Sequence, residues 1–179
     1  MLQLFESLLG HSLVDKLGGM VELEKEHAMV HLGKAYRLRI SNSALANGAS
    51  LTLHLNIPKN VFMHLKEVEF FSEGKSAFLF NVGGSFSGGS NSVTPVSLNQ
   101  IKNIPSKIFA ETSFSQSGSP VVLESFTAGG GTTNATRVPG EISSEWEWNF
   151  SGQDVAITLT NNTGSAAVAW ISLNWYETY

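Results

Sequence analysis

Leu51-Thr52-Leu53-His54-Leu55-Asn56-Ile57-Pro58 places a large apolar residue at every second position and closes on a proline. Side chains on an extended strand alternate between its two faces, so this stretch reads as a strand with Leu51, Leu53, Leu55 and Ile57 in a core and Thr52, His54 and Asn56 on the opposite face. Pro58, which has no N–H for a ladder, ends it. Upstream, Tyr36, Leu38 and Ile40 alternate with Arg37, Arg39 and Ser41 in the same way, and Asn47-Gly48 marks a turn between the two runs. Strands over 35–42 and 50–57 are therefore expected as antiparallel neighbours.

The same period continues outward. Val61 to Phe71 alternates except near Lys66, where a bulge is expected. Ala77 to Val82 follows as a strand. The run from Gly83 to Ser92, nearly all Gly and Ser, offers little side chain to bury and reads as a long loop. Further strands are expected at Lys107–Ser113, Val121–Thr127, Glu145–Phe150, Val155–Thr160 and Ala167–Tyr176, with loops at 115–119, 129–139 and 161–165. About nine strands with no helices between them restrict the fold to a sandwich, jelly roll or barrel. The long small-residue loops favour an all-β jelly roll or β-sandwich over a meander.

One segment breaks the pattern. Leu2, Phe5, Leu9, Leu13 and Leu17 recur at intervals of three and four, an apolar helical stripe that Gly18-Gly19 would end. The chain thus divides into an amino-terminal helix or arm, residues 1–25, and a single β domain, residues 26–179. The stripe packs on its own domain or docks on a neighbour. A membrane-surface helix is disfavoured because Lys16 is the lone base opposite.

Composition agrees and excludes several classes. Ser, Thr, Asn and Gly supply 64 of 179 residues, the profile of a turn-rich β protein. The net charge of -4 and a 15% charged fraction argue against nucleic-acid binding. The absence of cysteine removes disulfides, thiolate metal ligands and thiol catalysis. No apolar run reaches the roughly 18 residues of a membrane span, and the first residues lack the basic region of a secretory signal, so synthesis in the cytoplasm is expected.

Catalytic signals are weak. Glu145 and Glu147 would share a strand face about 7 Å apart, near a glycosidase spacing, and Glu67 and Glu69 repeat the pattern, but solvated strand positions account for all four. His27 and His31 have the i, i+4 spacing of helical metal ligands, yet no nearby Asp or third His supports them and the neighbouring residues lead into a strand, where the two would lie too far apart; no metal and no cofactor are expected. His54 and His64 read as strand-surface residues. With only Asp15 and Asp154 as aspartates, no calcium loop occurs, and no phosphate-binding or nucleophile motif is present. The protein is not expected to be an enzyme. Trp146, Trp148, Trp170, Trp175 and Tyr176 form an aromatic set, mostly core, although Trp170 and Trp175 would face opposite sides of one strand. Candidate interface residues are Leu2, Phe5, Leu9, Leu13, Trp146 and Trp175. The two glycosylation-type triplets at Asn134 and Asn161 are chance matches.

The run from Glu26 to Arg39, Phe78-Leu79-Phe80-Asn81-Val82, Thr94-Pro95-Val96, the stretch from Ser119 to Gly131, Val155 to Asn162, and Ala169 to Glu177 follow one another in an order that resembles the decoration, or cement, proteins of tailed-bacteriophage capsids. The resemblance covers residues 26–177 as a pattern of strands and loops. It implies a jelly roll or sandwich, a homotrimer on the outer capsid surface that bridges major capsid subunits, and a virion location, with no nucleic acid or membrane as partner. A phage tail or head-fibre module that recognises surface glycans is the alternative.

Overall fold

Thirteen strands and one short helix form from the described residues of the computed structural model, which are 25–89, 91–128 and 148–179. The stripe of Leu2, Phe5, Leu9, Leu13 and Leu17, the loop at 129–139, Asn134, and Glu145, Trp146 and Glu147 lie outside them. The helix α1 (Lys25–His31) leads into β1 (Ala35–Leu45), β2 (Ser50–Asn56), β3 (Phe62–Ser72) and β4 (Ser76–Val82). Five short strands follow: β5 (Ser85–Ser87), β6 (Asn91–Val93), β7 (Val96–Ser97), β8 (Phe109–Thr112) and β9 (Ser115–Ser117). The return half is β10 (Val121–Ala128), β11 (Trp148–Phe150), β12 (Asp154–Asn161) and β13 (Ala167–Thr178).

Each strand with one apolar face must cover it, and the chain does so with two antiparallel sheets. One has the order β11-β3-β13-β1-β7 and the other β10-β4-β12-β2-β8-β6. The pairs β1 with β13, β2 with β12, β3 with β11 and β4 with β10 are those of a single long hairpin folded over on itself, which is the jelly-roll arrangement. Leu38, Ile40, Val68, Phe70, Ile171 and Leu173 of the first sheet and Leu53, Leu55, Phe78, Phe80, Ile157 and Leu159 of the second meet in one core. Phe70 and Phe78 stack across it with centroids 4.6 Å apart.

Three sequence expectations need correction here, one of them the loop at 115–119, whose residues Ser115–Ser117 form β9. The runs at 35–42 and 50–57 are not paired: β1 bonds to β13 and β7, β2 to β12 and β8, in different sheets. Both strands are apolar on one face, so placing them opposite each other buries both faces, whereas pairing them would leave the shared face to be covered elsewhere. The Gly/Ser run is not wholly loop. Its backbone forms β5, paired with β9, and the adjoining β6, paired with β8. Ladder bonds need no side chains, and Phe86, the large residue of β5, supplies the anchor described below.

The bulge expected near Lys66 is present. Asn174 lies opposite Glu67 and Trp175 opposite Leu65, so Lys66 is the extra residue, and the inward positions change from Met63 and Leu65 to Val68 and Phe70. The helix stops in a Schellman motif: Lys34 N–H donates to Met29 O and Gly33 N–H to Val30 O, both at 2.9 Å. Gly33 takes φ +73°, a conformation that favours glycine, and a Cβ there would stand 3.1 Å from Lys102 and 3.2 Å from Ile104, so those side chains would have to give way. No described helix is long and apolar enough to cross a membrane.

Candidate functional site

The outer face of the five-stranded sheet carries rows of aromatic, charged and polar side chains, partly exposed at Trp170, Phe71, Glu67 and Glu69 and buried at Tyr176. Register places Ser41, Trp170 and Phe71 in one cross-strand row, Arg39, Ser172 and Glu69 in the next, then Arg37, Asn174 and Glu67, then Ala35, Tyr176 and His64. Neighbouring rows interact. The Arg39 guanidinium sits 4.3 Å from the Trp170 ring centre, and Phe71 stacks beside that indole at 5.9 Å and 12°. Arg37 donates to Ser172 Oγ at 3.3 Å and pairs with Glu69 at 3.5 Å. The Asn174 amide donates to Glu67, and Tyr176 stacks on His64 at 4.4 Å. Glu67 and Glu69 do share a face, as their spacing requires, but each already accepts a hydrogen bond from a neighbouring side chain.

This placement alters the aromatic assignments. Trp175, expected at an interface, is 2% exposed; it packs against Tyr36 inside the sandwich with ring centres 5.8 Å apart. Trp170, five residues earlier, is the one on the outer face, as opposite orientation requires. Trp148 lies opposite Leu65 and packs on the core against Phe80.

The outer face of the six-stranded sheet is organised differently. Val122, Asn81, Ala156, His54, Glu111 and Ser92 line up across all six strands. Over this row lies the β5–β9 ribbon: Phe86 stacks on His54 at 4.0 Å and 7°, Phe114 lies 5.4 Å from it, and Gln116 donates to Asn81 and to Gly83 O at 2.9 Å each. His54, read from sequence as a surface residue, is thus only 5% exposed. Its Nδ1 bonds Glu111 at 2.8 Å and its Nε2 bonds Asp154 at 2.9 Å. With both ring nitrogens held by carboxylates and one ring face covered by Phe86, the cluster fastens the ribbon to the sheet. Gly89 belongs to the same fastening, since a Cβ there would overlap the Glu111 carboxylate.

A third feature is a cleft of about 400 Å³ beside the edge of β1, lined by Ser41, Asn42, Thr52, Thr112 and Ser113 over Leu51. None of its lining residues is ionisable at neutral pH, so it has no acid–base chemistry to offer.

At the far end of β13, Glu177 is fully buried. It accepts hydrogen bonds from Ser106 Oγ, from Lys107 N–H at 3.1 Å and from the Trp175 indole at 3.2 Å. The neighbouring Tyr36 hydroxyl donates to Pro105 O at 3.5 Å. Burial first, then the nearby charges of Glu177 and Tyr179, hold Tyr36 far above the ordinary tyrosine range. The folded protein therefore keeps a proton that the unfolded chain releases near pH 10, so stability falls as pH rises above about 10. Absorbance at 295 nm should show Tyr36 silent, among the three tyrosines, until alkaline unfolding. Ionisation of all three tyrosines while the sandwich remains folded would refute this.

Asn161, of the second glycosylation-type triplet, is 1% exposed and donates to Leu45 O at 2.7 Å and Ser165 O at 2.8 Å. It joins two turns and offers no acceptor nitrogen at the surface. Compared with families of known proteins and with individually curated proteins, the chain matches none.

Proposed function

We propose that this protein is a virion structural protein of the capsid-decoration type, which binds the outside of a phage capsid as a homotrimer and holds neighbouring major capsid subunits together. The observation that supports this reading is the Arg39–Trp170–Phe71 cluster on the outer face of the five-stranded sheet. Trp and Arg dominate the energetic centres of protein interfaces, where a flat, rigid surface gains contact area at small cost in side-chain entropy. Here the guanidinium is already held over the indole and the indole beside Phe71, so little ordering remains when a partner docks. The jelly-roll order agrees with the fold that the family resemblance implies.

The mechanism is additive binding. Each protomer contributes one modest interface, and a trimer engages several capsid subunits at once, so separation requires several interfaces to open together. No substrate is turned over.

Immunogold electron microscopy of particles released from the source culture tests the proposal. Label distributed over capsid heads is the expected result. Label confined to tails, or absent from particles, would overturn it, and tail label would favour the glycan-binding alternative.

A further inference from the structure

Two grounds stand against His27 and His31 as metal ligands: the lack of a third Asp or His ligand, which holds among the described residues, and a segment that runs into a strand, which the fold removes. Both histidines lie on α1, which ends at His31; the strand begins only at Ala35. They share one helix face, are exposed, and turn the same atoms toward each other: the two Nε2 atoms are 2.8 Å apart and the ring centres 4.6 Å apart.

That separation carries chemical information. With metal–nitrogen bonds of about 2.05 Å, two nitrogens at 90° around an ion stand about 2.9 Å apart, whereas a tetrahedral angle would need about 3.4 Å. The 2.8 Å now observed is a hydrogen bond between the two nitrogens, so it shows that they can close to chelating range around one ion, and the preference for Cu²⁺ and then Ni²⁺ comes from the affinity order of imidazole ligands. The backbone beneath is held firmly. The Schellman motif closes the helix immediately after His31, and the Asn99 amide donates to His31 O at 3.1 Å while its Oδ1 accepts from Ile101 and Lys102 N–H at 3.0 Å. His31 also sits in the last helical turn, where the exposed carbonyls favour positive charge.

We infer that His27 and His31 form a surface site that chelates one Cu²⁺ or Ni²⁺ ion through their two Nε2 atoms. Among the described residues no group of three or more His, Asp or Glu side chains is placed to hold a metal, so the two imidazoles are the ligands that the described residues supply. The hydrogen bond that now joins the two Nε2 atoms must open for both lone pairs to reach one ion. This site is independent of the capsid-binding proposal and would clip a helix of only seven residues in place.

The untagged full-length protein, titrated with Cu²⁺ and with Ni²⁺ by calorimetry and examined by electron paramagnetic resonance in its Cu²⁺ form, tests the assignment. One ion per chain with two equatorial histidine nitrogens is expected. His27→Ala and His31→Ala should each weaken binding by about tenfold or more, because the second imidazole is offered at millimolar effective concentration. Affinity unchanged in either variant, or a wild-type spectrum with a single histidine nitrogen, would overturn it. The spectrum of the unaltered protein decides the matter even if a variant were to misfold.

Discussion

Glu177→Ala is expected to lower the unfolding free energy by about 3–5 kcal/mol, because three donors lose their acceptor at once in a site closed to water. The Ser106 hydroxyl, the Lys107 N–H and the Trp175 indole all converge on this carboxylate. Two of them, Ser106 and Lys107, belong to the segment after Pro105 and tie it to β13. An unsatisfied buried donor costs about 1–3 kcal/mol, and relaxation of the 105–108 segment recovers part of the total. Glu177→Gln keeps one acceptor oxygen and should cost less than half as much. Urea unfolding followed by tryptophan fluorescence measures both, since Trp175 is a direct partner. A loss below about 1 kcal/mol for Glu177→Ala would mean that water or another side chain satisfies the site.

Trp170→Ala is expected to weaken capsid binding by about 30-fold or more, the loss typical of a central interface hot spot, and Arg39→Ala by a smaller factor. Truncating the indole removes the platform on which Arg39 rests and leaves Phe71 without its stacking partner. Truncating Arg39 removes one charge but leaves both rings in place. The two effects should not add, because the side chains are in contact. Trp170 is only partly buried and lies outside the core, so its loss should change stability far less than it changes binding. Co-sedimentation of purified variants with undecorated capsids separates the two quantities when thermal melts are run alongside. Undiminished binding by Trp170→Ala would move the capsid contact to another surface.

Much of the architecture was legible because strand burial has a period of two. The alternations at Tyr36–Ile40 and Leu51–Ile57 identified strands and their inward faces, the break at Lys66 located a bulge, and the five-residue offset between Trp170 and Trp175 put them on opposite sides. Partners were less legible than faces. The neighbouring runs of β1 and β2 looked like a hairpin, yet each pairs with a strand about 100 residues or more later. Hydrophobic alternation states which side of a strand is buried and carries no information about which strand lies beside it.

The polar sites were hidden for a related reason. His54 alternates with leucines and so belongs to the outer face, which is where it is; its burial comes from Phe86 and Phe114, brought over it by a ribbon whose Gly- and Ser-rich sequence gives no sign of packing. Glu177 offered one faint signal, an acid two residues after Trp175 and hence on the same inward side, but its three donors arrive from the chain 70 residues earlier and from Trp175 itself. For His27 and His31 the structure corrects a boundary alone: spacing cannot show whether a helix ends before or after its second histidine, and the Schellman stop at Gly33 settles that locally. Composition and periodicity are properties of neighbours along the chain, so they were sufficient for the fold class, the buried faces and the bulge. Sheet partners, the covering of His54, the burial of Glu177 and the Arg39–Trp170 contact depend on residues distant in sequence, whose meeting is set by how two whole sheets close over a common core.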